Sequence, residues 1–268
     1  MKKCIIKLMT AGLVGIMAFS MVGCSDDSSS DKKSKKDKKD RDEKEKIEIE
    51  FEEGEPTFTT AESDEDAPDT SGNLGSSFIP IDCEIGDTIT FGNYGGEDIT
   101  WLVLDKEDGK YLVISEYALD CKAYNDEFVD ATWETCTLRS WLNDDFYNEA
   151  FLSSEQNYIV TTTVTADSNP EYDTNPGNDT QDKVFLLSID ELNTYFDSEE
   201  ARICYPTDYA IDNGVNVKNN ACWWWLRSPG VSRCIAVDVL DGGYVYSHGD
   251  SVNVDNIGVR PALWLSVE

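Results

Sequence analysis

Basic side chains are scarce in this chain: 22 Lys and Arg stand against 53 Asp and Glu over 268 residues, a formal net charge of −31. Phosphates are attracted by Lys and Arg, so no nucleic-acid partner is expected. Histidine occurs once, as His248, which cannot supply the histidine pair of a thermolysin-type zinc site. A Ser/His triad would need that histidine beside a serine on an elbow, and no G-x-S-x-G is present. Neither a P-loop nor a dinucleotide fingerprint occurs, which disfavours phosphate-cofactor enzymes. No C-x-x-C occurs either, so zinc-ribbon and thioredoxin readings lose their main support. His248 falls in Ser247-His248-Gly249-Asp250 and is expected on a surface loop.

What is present begins with Lys2, Lys3 and Lys7, followed by the nearly unbroken apolar run Leu8 to Val22 and then Gly23-Cys24. A basic start, an apolar stretch too short to span a membrane and a small residue before a cut describe an export signal over residues 1–23. The stretch resembles a bacterial lipoprotein signal. That resemblance implies lipidation of Cys24, a membrane partner reached through the N-terminal lipid, and a location on the extracellular face of the cell membrane. Residues 24–80 follow as a charged linker, with no apolar side chain from Ser25 to Lys46 and an acidic stretch from Glu48 to Asp69. Such a segment cannot offset its own ordering entropy, so a disordered tether is expected. A purely structural spacer in the cell envelope is one role open to such a chain.

Residues 81–268 hold all seven Trp, all twelve Tyr and six of the Phe, enough large side chains for one core. Strands are expected at Thr88–Phe91, Ile99–Leu104 and Tyr111–Ser115, the last two joined across Asp108-Gly109. Leu138, Trp141, Leu142 and Phe146 lay an apolar stripe along a helix from about Thr137. Ser153 with Gln156, and Ser188 with Glu191, match capping boxes, the second after an expected strand Val184–Leu187. Further strands are expected at Trp223–Arg227, Cys234–Val239, Tyr244–Ser247 and Val259–Leu265, with Asp241-Gly242-Gly243 as a turn. Strands, then helices, then strands make an α+β domain, with a mixed or antiparallel sheet and short helices.

The ordered motifs Ile89-Thr90-Phe91-Gly92-x-Tyr94, Ile99-x-Trp101-x-Val103-Leu104, Leu138-Arg139-x-Trp141-Leu142-Asn143, Gly177 to Ser188, WWWLRSPG (Trp223 to Gly230) and GVRPAL (Gly258 to Leu263) carry a resemblance. They are similar to an uncharacterised domain family, number six-two-seven-three among the domains of unknown function, found in surface lipoproteins of Gram-positive gut bacteria. The closing order of Trp-rich strand, hairpin and Arg-Pro strand also resembles the C-type-lectin-like fold of the formylglycine-generating-enzyme type. The first resemblance implies a fold and a location. The second implies an alternative in which a cysteine pair binds copper and oxidises a substrate cysteine.

Three candidate sites follow. Trp223 and Trp225 share one strand face and Trp224 takes the other, so one face forms an aromatic platform for sugar rings, with Arg227 beside it, or both faces are packed. The oxygen-rich run Asp167 to Asp182 is either a solvated turn or a calcium site built from Asp173, Asn175, Asn178, Asp179 and Asp182. Six cysteines remain beyond Cys4 and Cys24, and Cys222 with Cys234, flanking the WWWLRSPG turn, is the pair with a local argument for a disulfide. Copper chemistry or buried free thiols are its alternatives. Arg260 is expected in a structural ion pair, since only ten basic residues meet 35 acidic ones in this region. The function expected is a non-catalytic, surface-tethered domain binding a glycan or a protein, with the copper oxidase and the spacer as rivals.

Overall fold

Ile89, Phe91, Trp101 and Val103, alternating along two strands, are all buried, and a sheet grows from that pattern. The computed structural model describes residues 82–267, which fall in one compact unit. The expected signal at 1–23, the expected lipidation at Cys24 and the expected tether at 24–80 fall outside the described residues.

The strands β1 (Thr88–Tyr94), β2 (Glu97–Glu107) and β3 (Lys110–Ser115) form an antiparallel meander. Its second hairpin closes with Glu107 opposite Lys110, and Asp108 and Gly109 both take positive φ, 44° and 73°. That is the primed turn which Asp-Gly favours. Next come β4 (Asp120–Cys121), the short strands β5 (Ile159–Val160), β6 (Thr162–Val164), β7 (Thr180–Asp182), β8 (Val217–Lys218) and β9 (Ala221–Cys222), and the longer β10 (Trp224–Pro229), β11 (Ile235–Val239) and β12 (Val245–Ser251). β13 (Gly258–Val259) and β14 (Ala262–Ser266) close the chain.

Two five-stranded sheets result, ordered β1-β2-β3-β14-β5 and β12-β11-β10-β13-β4, beside two short hairpins, β6-β7 and β8-β9. Among the described strands the ladders are antiparallel except β10 with β13. The GVRPAL motif is where the chain passes between the sheets: Gly258 pairs with Trp224 in the second, and Ala262 pairs with Ile114 in the first. Proline cannot donate to a ladder, and Pro261 stands at this handover, with its carbonyl accepting from the Ser115 amide. The expected α+β class with antiparallel sheets is what the chain adopts.

The stripe from Leu138 forms one continuous helical stretch in three parts, α1 (Thr137–Trp141), a π-helical turn (Leu142–Phe146) and α2 (Tyr147–Ala150). The Ser188–Glu191 capping box opens α3 (Ile189–Tyr195), and α4 (Glu199–Arg202) and α5 (Asp208–Asp212) follow. Two expectations are corrected. Ser153 makes no cap; Glu155 accepts from the Leu152 amide instead, ahead of a 3₁₀ turn at Gln156–Tyr158. Val184–Leu187 makes only one bridge, Phe185 with Ala262, because its side chains are buried on all sides rather than laid along a ladder.

Asp238 is fully buried on β11, and neither carboxylate oxygen has a partner among the described residues. Burial, with Asp250 nearby, pushes its carboxyl up to about 8. The folded protein therefore holds a proton that the unfolded chain releases near its ordinary value of 3.8. That contribution to stability is complete below the unfolded value and is lost as pH rises through the folded one. The unfolding free energy of Asp238→Asn, relative to the parent, is expected to rise by about 3 kcal/mol between pH 5 and 8. Urea titrations of both proteins across that range measure it, and a pH-independent difference would refute it.

Candidate functional site

The π turn falls in the helix that walls an open cleft of about 560 Å³. Such turns widen a helix by one residue and recur at functional sites. Here the turn and its flank bring Trp141, Asp144 and Asp145 to one side of the cleft. Lys122 and Asp126, from the segment after β4, form another side, while Asn213 after α5 and Asp255 before β13 close it.

Beneath the cleft lies Asp120, 2% exposed, which organises this rim. Its carboxylate accepts from the Tyr94 hydroxyl (2.8 Å), the Asn213 amide (2.9 Å) and the Cys121 backbone amide (2.8 Å), and pairs with Lys122 Nζ at 3.6 Å. The Lys122 ammonium also sits 4.6 Å from the centroid of Trp141. Tyr94 meets the Trp141 indole edge-on at 6.3 Å and Phe146 packs at 5.4 Å. Trp141 is thus held by cation–π and aromatic contacts while remaining only partly buried. Burial, and after it Asp120, pushes the Cys121 thiol up to about 11, so this cleft residue stays protonated and is a poor nucleophile. No histidine lines the cleft; His248 is exposed on β12, stacked on Tyr246 at 5.7 Å. The arrangement is one aromatic face and one ammonium among four carboxylates, suited to holding a hydroxyl-rich ligand.

A family model described as domain of unknown function DUF6273 matches residues 108–267. The chain belongs to the DUF6273 family. No curated protein and no solved structure matches the chain. The DUF6273 span contains every residue lining the cleft, whereas β1, which supplies Tyr94, precedes it.

The residues singled out from the sequence sit elsewhere in this DUF6273 domain. Trp224 and Trp225 are both fully buried. Trp224 donates to the Arg202 carbonyl (3.1 Å) on one face of β10, and Trp225 to the Lys122 carbonyl (2.9 Å) on the other. β10 is buried along its whole length on both faces, so these indoles form no platform. Trp223 is partly buried, its indole donating to Asp241 at 3.0 Å. Arg227 is also no ligand group, being 3% exposed with every guanidinium nitrogen engaged. Nε donates to the Thr165 carbonyl, Nη1 to the Leu186 carbonyl, Nη2 to Asp167, and both Nη atoms to Glu191.

The proposed calcium ligands diverge. Asp182 is drawn inside by β7 and accepts from Trp133 (2.9 Å), Thr180 (2.6 Å) and Arg139 (2.7 Å). Asp179 accepts from the Ala166 amide, Asn178 donates to Glu134, and Asn175 accepts from the Gly177 amide, while Asp173 is exposed. Among the described residues no three Asp, Glu, His or Cys side chains gather in a way that could hold a metal. Cys222 and Cys234 are separated by strand register. Cys222 precedes β10 at the end that pairs with Val239, and Cys234 precedes β11 beside Pro229, so the length of the ladder lies between them, on the order of 20 Å. They can form neither a disulfide nor a copper pair without rearrangement. Arg260 has no carboxylate partner among the described residues; its Nε donates to the Ser115 carbonyl and its guanidinium lies against Trp224 and Phe196.

Trp141 was visible in the sequence only as a core-facing helix residue. Asp120 and Lys122 carried no signal, because what gives them a role is proximity to residues far along the chain.

Proposed function

We propose that this chain is an extracellular, membrane-anchored lipoprotein whose DUF6273 domain binds a glycan without catalysis, in the cleft walled by Trp141. The partly exposed indole ringed by carboxylates carries this reading. A sugar ring stacks on the indole, and Asp126, Asp144, Asp145 and Asp255 accept from its hydroxyls. Four carboxylates against one ammonium disfavour acidic polysaccharides and favour neutral or amino-bearing ones. The N-terminal signal and Cys24 support the anchor, and residues 24–80 support a tether that lifts the domain off the membrane. The C-type-lectin-like assignment belongs to this proposal as well, supported by the Trp-rich β10, the β11–β12 hairpin and the Arg260-Pro261 exit.

Binding of the lipid-free chain Ser25–Glu268 to neutral, amino-bearing and acidic oligosaccharides tests the reading. Saturable binding of the first two classes, weakened at least about tenfold in Trp141→Ala, is the expected result. Binding that survives Trp141→Ala unchanged would refute the site. No binding to any class would refute the glycan and leave a protein ligand or a spacer role.

A further inference from the structure

Cys204 and Cys222 face each other across an antiparallel bridge, with the Cys222 amide donating to the Cys204 carbonyl at 2.9 Å. Opposed residues in a hydrogen-bonded antiparallel pair have Cα atoms about 5.5 Å apart, inside the range that a disulfide spans. Both side chains are fully buried. The chain also approaches them closely: a Cβ on Gly258 would lie 3.2 Å from Cys222 Sγ and 2.8 Å from the Trp223 carbonyl. Only glycine leaves the pair its room.

Arg260 adds an independent observation. It is 3% exposed, no carboxylate among the described residues pairs with it, and its Nη1 has no partner there. Its charge acts on both thiols and favours the ionised sulfur through which thiol–disulfide exchange proceeds. Burial raises Cys204, but the hydrogen bond from the Cys222 thiol and the Arg260 charge outweigh it and bring Cys204 below its ordinary value. The same hydrogen bond, then burial, raises Cys222. Of the two sulfurs, Cys204 is therefore the more readily ionised.

We propose that Cys204 and Cys222 are a disulfide site built into the domain, closed by oxidation across their bridge. With a low-molecular-weight disulfide as oxidant, the Cys204 thiolate attacks one of its sulfurs, forming a mixed disulfide and expelling one thiolate. Cys222 then loses its proton and attacks Cys204 Sγ, expelling the second thiolate. The two cysteines give up two electrons, and the oxidant leaves as two thiols. Because both sulfurs are buried, exchange proceeds while the segment between them opens, and is slow in the folded protein. The crosslink pins the Tyr205–Ala221 segment, which carries α5 and the cleft residue Asn213. Nothing in this step depends on which ligand the cleft holds.

The test is redox equilibration of the full chain with reduced and oxidised glutathione, then denaturation, alkylation and non-reducing peptide mapping by mass spectrometry. A Cys204–Cys222 linked peptide is expected, with Cys83, Cys121, Cys136 and Cys234 alkylated. Oxidation should raise Tm by about 5–10 °C over the reduced chain, a shift absent in Cys222→Ser. Full alkylation of Cys204 and Cys222 after oxidative equilibration would overturn the proposal, as would a linkage of either residue to another cysteine. The mapping uses the parent chain, so it stands even if Cys222→Ser fails to fold.

Discussion

Arg227→Ala is expected to lower the unfolding free energy by about 3–5 kcal/mol, enough to abolish most of the stability of an ordinary domain. The guanidinium joins three segments: Thr165 and Asp167 ahead of β7, Leu186 and Glu191 at the start of α3, and its own strand β10. Removing it leaves the Glu191 and Asp167 carboxylates, each only partly exposed, without their cation. Glu191 also accepts from the Ser188 amide in the capping box, so the start of α3 loosens with it. Arg227→Lys recovers little, because one ammonium cannot reproduce the bidentate contact to Glu191 or the two carbonyl bonds. Urea denaturation of the parent and both variants measures the effect. A loss under about 1 kcal/mol for Arg227→Ala would show that the network contributes nothing beyond burial.

Trp225→Ala is expected to cost a similar amount, about 3–5 kcal/mol, through the cavity it leaves. The indole is fully buried, meets Tyr124 edge-on at 5.9 Å and donates to the Lys122 carbonyl. Tyr124 in turn donates to the Arg227 carbonyl at 2.9 Å, so the loss spreads along β10. Truncation also releases the backbone at Lys122, one wall of the cleft. Ligand binding lost in this variant would therefore report unfolding, whereas Trp141→Ala removes a partly exposed side chain. Calorimetry distinguishes the two: Tm should fall steeply for Trp225→Ala and by only a few degrees for Trp141→Ala. Equal shifts would contradict the division between core and cleft.

The WWWLRSPG motif is thus a device for holding the fold. Trp224 and Trp225 are buried on opposite faces of β10, Arg227 ties three segments together, and Ser228 accepts from the Ile189 amide at 3.0 Å. Sequence periodicity could assign these residues to a strand, and alternation could assign the indoles to opposite faces. It could not tell a covered face from an open one, since the covering elements come from other parts of the chain. The Asp108-Gly109 hairpin and the Ser188–Glu191 box were legible because both are local, their partners lying within three residues.

What escaped the sequence is long-range. Lys122, Trp141, Asn213 and Asp255 meet only after the sheets are assembled, and Asp120 acquires its organising role from Tyr94 and Asn213. The π turn is equally hidden, because a stripe at Leu138, Trp141, Leu142 and Phe146 fits a straight helix as well as a widened one. Cys204 carries no strand pattern of its own, and only the bridge to Cys222 places it. Register also overturned the Cys222–Cys234 pairing, since Cys222 stands at the open end of the β10–β11 hairpin and Cys234 in the connection at its closed end.

Glycan binding in the Trp141 cleft is measured most directly by backbone amide NMR of the chain Ser25–Glu268, titrated with a neutral and an amino-bearing oligosaccharide. A glycan held against Trp141 gives saturable shifts gathered on Lys122, Asp126, Trp141, Asp144, Asn213 and Asp255, with β10 unmoved. Shifts centred on Trp223 to Arg227, or no shifts at any ligand concentration, would contradict it.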